Sequence, residues 1–539
     1  MTGLTGVHRP HVRVLGASIA FLAGAATMAG ELAAVRLLAP WFGASTIVWT
    51  NVIGVVLLAL SLGYLLGARW ANGAAPWTVL SRALCAGGLL LAAAPHLVAW
   101  YAQWFLPANL ALDAADGVLQ WGSLATAGLV FLPPMVALGC VSPLIVEWWT
   151  RATQAHAGSA GGFVLAASTL GSLLGTFVAT HVLVPSLGLV LTFTVAGGVL
   201  VLVGVIVALT QRQLLGLLWL VPLAGMATHE AVATPAPSPI VRVLAQGESA
   251  LQSVRVVEQV AFGNAPWRFL QVNESFDSFQ SVWSPTPGLL SNGYYYDLFA
   301  LPVLAEPARE RLHMGIIGLG AGTAWRVVDG VRPASMQLTG EGAELDPLVV
   351  EYAQTYLDLP RDGTRLRVLS GVDGRMYLQH AARSVDVLVV DAYRNQTEIP
   401  AHLATLEFWT LCQNRLTEGG WLLANVGSFG LQDPLLQALA RTLAQAFAAE
   451  VHVWRVPFAR NAVLIARKHA QVPDPAHLVT GNESFDALLR AIARPEMHCV
   501  VAPPATFESV LSDDCAPLEA LGARSLSRAR AVARGDVTP

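Results

Sequence analysis

Charge is what this sequence has least of. Only 13% of its 539 residues are Asp, Glu, Lys or Arg, about half the share usual in soluble domains, and mean hydropathy is +0.53. The deficit is uneven. No Lys, Arg, Asp or Glu occurs from Ala152 to Gln211, whereas Glu306, Arg309, Glu310 and Arg311 open an ordinarily charged region. Such a split predicts a membrane part joined to a water-soluble part. A net charge of −4 and a pI near 6.4 argue against a nucleic-acid partner, which normally meets a basic face. Cysteine is scarce as well. Cys85, Cys140, Cys412, Cys499 and Cys515 show no C-x-x-C spacing, so neither a zinc site nor a disulfide framework is indicated and no metal is expected. Cys85 and Cys140 fall in apolar runs and read as small core residues. No cleavable signal peptide is expected, because the first apolar stretch is too long and carries Glu31 and Arg36.

Long apolar runs are what the N-terminal half has in abundance. Crossing about 30 Å of hydrocarbon takes roughly 20 helical residues. Runs of that length lie near 14–38, 46–68, 79–105, 122–146, 160–184, 188–210 and, less clearly, 213–229. They predict a multi-pass domain of about seven helices over 1–230. Arg9 and Arg13 precede the first run, and Arg69, Arg82, Arg151 and Arg212 mark alternate loops, whereas the intervening loop holds Asp113 and Asp116. By the positive-inside bias the N-terminus and the Arg-bearing loops face the cytoplasm of a cell membrane. Seven crossings would then put the soluble half outside, which conflicts with the cytoplasmic side expected from the nucleotide chemistry below. Either the last run, interrupted by Pro222, stops short of crossing, or one span is overcounted. Glu31 and Arg36 read either as part of a substrate path or as an ion pair with Arg36 reaching the interface. Gly161-Gly162 and the stretch Gly171 to Gly175 read as small-residue sites for close helix packing.

Residues 231–248, rich in Pro and Ala, read as a linker, followed by a small β region over 249–305. The catalytic candidate is 306–470, with 471–539 as a C-terminal tail. Here apolar strands at Leu312–Ile317, Met336–Leu345, Leu366–Leu369, Val385–Val390 and Trp421–Val426 alternate with helical segments, which predicts a parallel sheet. The expected fold is therefore a multi-pass α-helical membrane domain plus an α/β Rossmann-like domain of the S-adenosylmethionine-transferase type, with a small N-terminal β region. The first strand runs into Gly318-Leu319-Gly320-Ala321-Gly322-Thr323, and an acid, Glu344, ends the next strand. Glycines let backbone approach a ligand, and a carboxylate accepts from both ribose hydroxyls. Thr323 stands where a dinucleotide fingerprint has its third glycine, which favours an adenosyl ligand without a pyrophosphate, such as an S-adenosylmethionine derivative. Asp373, followed by Gly374, is placed either to accept from an adenine amino group or to form a turn.

At this point a family resemblance emerges. Gly318–Thr323, Glu344 to Pro347, Asp373-Gly374, Asp391-Ala392-Tyr393 and Ile399 to Phe408 resemble the spermidine synthase (polyamine aminopropyltransferase) family, most closely its membrane-fused branch. Gln252 and Tyr295-Tyr296-Asp297 resemble the family's substrate-pocket segments. Gly139 to Pro143 and Ser168–Gly175 resemble the N-terminal part of the fused branch. The resemblance implies transfer of an aminopropyl group from decarboxylated S-adenosylmethionine to a small-molecule amine. It implies ribose binding by Glu344, adenine binding by Asp373 and an active-site role for Asp391, because the attacking amine must lose a proton.

Two departures from the family pattern bear on substrate. Ala321 stands where soluble members carry an aspartate in the glycine turn, and Arg394 stands where they carry another after the fourth strand. An arginine there repels a dication and suits a carboxylate. The alternatives are an altered substrate, with S-adenosylmethionine itself as donor or an acidic acceptor, or an Arg394 that points to solvent. Beside the transferase reading stand a methyltransferase on the same fold and a non-enzymatic amine-transport or sensing module. Expected partners are the amine, the lipid bilayer and no nucleic acid, with a homo-oligomer left open.

Overall fold

The computed structural model describes residues 10–42, 46–73, 75–105, 115–210, 212–222, 241–249, 251–260, 265–272, 280–291, 294–393, 399–457, 459–505 and 510–534. The chain divides into two compact units, one essentially 1–236 and the other essentially 253–539.

The first unit is helical: α1 (Pro10–Phe42), α2 (Thr46–Ala71), α3 (Pro76–Phe105), α4 (Ala115–Gly139), α5 (Val141–Thr153), α6 (Ala157–Val178) and α7 (Val184–Thr210). Five apolar helical runs are long enough to cross a membrane. The last, Ala157–Thr210, has 54 residues and would reach roughly 80 Å as one helix. It contains a π-helical turn, Ala179–Leu183, and breaks at Gly188, where φ is 74° and ψ 177°. The fifth and sixth expected spans are thus the two limbs of one run. The seventh is not a long helix among the described residues, where a 3-10 turn, Leu214–Trp219, runs into three helical residues, 220–222; residues 223–229 lie outside them.

The helices pair α1 with α6, α2 with α4 and α3 with α7, and each pair is closed by glycine against backbone. A Cβ on Gly171 or Gly175 would strike the Phe21 or Ala25 carbonyl of α1. One on Gly63 would strike Val136 of α4, and one on Gly197 would strike Gly88 of α3. Gly161 and Gly162 correct the expectation of close packing at both glycine stretches, since a Cβ on either meets nothing within 4 Å. Within the bundle Asn51 Nδ2 donates to Ser123 Oγ at 2.9 Å. Arg36 Nη1 donates at 2.8 Å to the Ser249 carbonyl, in a short turn that groups with this unit. The outward faces of α2, α6 and α7 carry exposed Leu57, Leu65, Phe163, Leu173 and Ile206, and Trp100, Trp104 and Trp121 are exposed at the ends of α3 and α4. Apolar faces flanked by tryptophan suit a bilayer and its interface.

The second unit opens with a four-stranded sheet of β1 (Val241–Glu248), β2 (Ser253–Gln259), β3 (Trp267–Val272) and β4 (Ser281–Trp283). β1 falls inside the expected linker, because Val241 to Leu244 already alternates. A 3-10 turn, Tyr295–Ala300, and a short helix, Leu301–Ala305, lead into the main sheet. Its strands are β5 (Arg311–Ile317), β6 (Gln337–Glu344), β7 (Leu366–Ser370), β8 (Val385–Val390), β9 (Leu416–Gly427), β10 (Val451–Arg455), β11 (Asn461–Arg467) and β12 (His498–Val501), in the order β12-β10-β11-β9-β8-β5-β6-β7. β5 to β9 are parallel, as expected. β10, β11 and β12 pair antiparallel, since the short β10–β11 connection permits a hairpin but no crossover. The expected tail supplies a strand, β12, and two helices: Glu483–Ile492, whose Phe485, Leu489 and Ile492 enter the core, and Leu518–Arg534, which packs on the helix Pro434–Phe447. Along β8, Val387 and Val389 enter one core while Leu388 and Val390 enter the other, so both sheet faces are covered. The chain reverses between β5 and β8, which sets the ligand crevice of such a fold at their carboxyl ends.

Candidate active site

Two strand ends meet at that reversal. Gly318 follows β5 with φ 77°, and a Cβ there would strike the Asp391 carbonyl at the end of β8; Asp391 N donates to the Ile317 carbonyl at 2.8 Å. The turn continues through Gly320 and Gly322, with φ 53° and 75°. Ala321 is buried, and its N–H donates to Ser281 Oγ of β4 at 2.9 Å. Thr323 is buried too, accepting from Val282 N and donating to the Val282 carbonyl. The position that departs from a third glycine therefore ties the turn to the small sheet.

Glu344 ends β6 beside this turn. Its Oε2 accepts from Gly320 N at 2.9 Å and its Oε1 from Asp346 N at 3.0 Å. A carboxylate oxygen has two lone pairs, so each retains one for a further donor. Burial raises its pKa, the charge of Asp346 adds to that, and the Asp346, Gly320 and Leu345 amides oppose it. Asp373 caps the helix Gly374–His380, with Oδ1 accepting from Arg375 N at 2.9 Å and Met376 N at 3.1 Å. His402 Nε2 lies 2.8 Å from Asp373 Oδ2. Burial would lift the Asp373 carboxyl, but His402 and the two amides outweigh it, so its pKa is lowered. The turn-forming and ligand-facing readings of Asp373 are compatible, since Oδ2 keeps one lone pair.

Asp391 is partly buried. Tyr295 OH donates to its Oδ2 at 3.0 Å, and Asn425 Nδ2 donates to its Oδ1 at 2.9 Å. Burial pushes its pKa up to about 7, against the pull of these two hydrogen bonds. Asn461 Nδ2 donates to Asn425 Oδ1 at 2.9 Å, which fixes the amide so that its nitrogen faces Asp391. Tyr393 OH donates to the Asn425 carbonyl at 3.0 Å. Tyr296 stacks on Tyr295 at 4.1 Å and is buried, donating to the Gln280 carbonyl at 2.7 Å. Burial, and secondarily the charge of Asp391, keeps the Tyr295 phenol protonated.

The expected residues Gly318, Gly320, Gly322, Glu344 and Asp391 thus gather at the glycine turn, with Tyr295 on Asp391. Gln252 stands just before β2 in the turn that groups with the helical unit, its carbonyl accepting from Ser249 N at 2.8 Å. Arg394 lies outside the described residues. Asn425 and Asn461 were not foreseen, although an asparagine inside the apolar run Trp421–Val426 is a signal that a buried strand would not otherwise carry.

Replacing Tyr295 by Phe removes a donor that favours the charged carboxylate. Asp391 is then expected to titrate about one unit higher. The acid limb of the rate profile should move to higher pH by that amount, with the alkaline plateau retained.

A twisted, mainly parallel sheet, a glycine turn after its first strand and acids at the next strand ends define a Rossmann-like domain of the S-adenosylmethionine-transferase type. Residues 338–472 match the family model described as the spermine/spermidine synthase domain. Over those residues the C-terminal unit is thus similar to the spermine/spermidine synthase domain, and the helical unit precedes it in the sequence. A probable polyamine aminopropyl transferase of Bifidobacterium longum is 28% identical over 294 residues, covering 49% of this chain and 63% of that protein. Polyamine aminopropyltransferase 1 of Streptomyces coelicolor is 24% identical over 497 residues, 86% of each chain. Among solved structures, spermidine synthase from Thermotoga maritima is 19% identical with a TM-score of 0.36, covering 47% of this chain and 84% of that one.

Proposed function

We propose that this chain is a membrane-anchored, aminopropyltransferase-like enzyme that moves a three-carbon arm from an S-adenosyl donor to an amine. The observation that carries this reading is Asp391: a carboxyl at the switch point, beside the glycine turn, oriented by Tyr295 and Asn425 and ionising near neutrality. An alkylamine is protonated at pH 7 and must lose a proton to attack, and a base with a pKa near the working pH is suited to take it. The amine lone pair attacks the methylene beside the sulfonium and the C–S bond breaks. The sulfur leaves as a neutral thioether, and the amine proton passes to Asp391.

The turn at Gly318, Gly320 and Gly322 admits the donor, Glu344 takes the ribose hydroxyls on its two remaining lone pairs, and Asp373 with Gly374 faces the adenine. Tyr295, Tyr296 and Arg394 belong to the acceptor side. Ala321 removes one amine-binding acid, and Arg394 reverses the charge of another. We therefore assign a carboxylate-bearing substrate, either S-adenosylmethionine in place of its decarboxylated form or an acidic acceptor. For the helical unit we propose six crossings, with Ala157–Thr210 counted twice across Gly188, which puts the N-terminus and the catalytic unit on the same, cytoplasmic side. The partners are the bilayer and the amine, without nucleic acid, and self-association is a matter for sizing in detergent.

The test is mass spectrometry of the nucleoside released by detergent-purified protein given either donor and a panel of amines. Methylthioadenosine is expected, and the productive donor reports on Arg394. Adenosylhomocysteine would mean methyl transfer instead, and no nucleoside product would leave a binding or transport module.

A further inference from the structure

The segment after β12 contributes one side chain that no part of the matched domain contains. Asp513 Oδ1 and Oδ2 accept from Arg375 Nη1 and Nη2 at 2.7 and 2.6 Å. The same Oδ1 accepts from Thr405 Oγ1 at 2.7 Å, and Asp513 N donates to Glu407 Oε2 at 3.0 Å. Next to it, Leu406 N donates to the Leu511 carbonyl at 2.8 Å. Arg375 is the second residue of the helix capped by Asp373, and its Nη1 also reaches the His402 carbonyl at 3.2 Å. His402 closes the ring through its 2.8 Å contact with Asp373.

Two loops are therefore tied to one carboxylate: the Asp373–Arg375 turn after β7 and the Ala401–Glu407 segment after β8. Isolated surface ion pairs stabilise little, but bidentate arginine geometry combined with further bonds to a third group sets orientation. Asp513 is 42% exposed and Arg375 20% exposed, so the pair sits at the protein surface, outside both cores. Its geometry constrains where Asp373 stands more than how firmly the domain folds.

We infer that Asp513 is a positioning residue for the donor: through Arg375 and Thr405 it holds the Asp373 turn and the His402 segment in register on either side of the adenine end of the crevice. This rests on the proposed S-adenosyl-dependent reading. It also assigns a task to the chain beyond residue 472, where the family match ends.

Full-length protein in detergent carries the test, with Asp513→Ala and Asp513→Glu compared with wild type. Asp513→Ala is expected to raise the donor KM about ten- to a hundredfold, with kcat and the amine KM changed less than about threefold. Asp513→Glu should recover part of the loss. Hydrogen exchange at the Arg375 and Met376 amides should quicken in Asp513→Ala, because Asp373 no longer holds its capping position. An unchanged donor KM with unchanged exchange overturns the inference. So does a parallel loss of kcat and Tm that Asp513→Glu does not relieve, which marks a merely structural role. Wild-type protein that neither binds nor consumes an S-adenosyl compound would overturn the functional reading instead, and exchange at Arg375 and Met376 would still decide whether Asp513 holds the turn.

Discussion

Asp391→Asn is expected to lower transfer by about 10²–10⁴-fold while leaving donor binding nearly unchanged. The new amide fits the same space. Its oxygen can face Asn425 Nδ2, and the Tyr295 hydroxyl can rotate to accept from its nitrogen, so geometry is kept and basicity is lost. Stability should move the other way. The folded-state pKa of Asp391, about 7, lies above its ordinary 3.8. The native chain therefore holds a proton that the unfolded chain has released between those values. The contribution to stability is fully present below about pH 4 and is lost as pH rises through 7. Asp391→Asn has no such titration. It should match wild type near pH 4 and exceed it at pH 8, by about 2–4 °C in Tm for each kcal/mol gained. Wild-type rate should rise through pH 7 over the range where wild-type stability falls. A variant that keeps more than a tenth of the activity would place the base elsewhere. Equal Tm at pH 8 would mean that Asp391 ionises as an ordinary carboxylate.

The five parallel strands of the catalytic unit were legible because each is a short apolar run ending in a polar or glycine residue, and Val385–Val390 is read to the residue, whereas the antiparallel β10, β11 and β12 were not read. The places of the glycine turn, Glu344 and Asp391 were legible for a related reason: each follows or ends a parallel strand, where the apolar run stops and side-chain type is no longer set by packing in the sheet. What sequence spacing does not carry is pairing across the chain. Asn425 meets Asp391 only because β8 and β9 are neighbours, and Asn461 meets Asn425 only because β11 returns antiparallel beside β9. Asp513 lies 138 residues from Arg375, a partnership that no local pattern encodes. The membrane half shows the same limit. Hydropathy locates Ala157–Thr210 but does not say that its two limbs join through a π turn and a break at Gly188.

Gly171→Leu is expected to abolish the folded helical unit, whereas Gly161→Ala and Gly162→Ala should leave it intact. All three glycines lie on α6, and composition does not distinguish them. Geometry does. A Cβ on Gly171 would sit well inside 3.0 Å of the Phe21 carbonyl group, and Gly175 repeats the contact one turn later against Ala25. The obstructing atoms are backbone, so no rotamer change relieves them, and α1 and α6 must separate along their contact. Overpacking in a soluble core destabilises by about 1–3 kcal/mol. Here the loss should be larger, because apolar helices in lipid have little beyond close packing to hold them together. Gly161 and Gly162 face open space, and Ala there favours the helix by up to about 1 kcal/mol. Size-exclusion profiles of detergent extracts, followed by thermal unfolding, separate the cases. A monodisperse Gly171→Leu protein with wild-type Tm would mean that α1 and α6 do not pack at this seam.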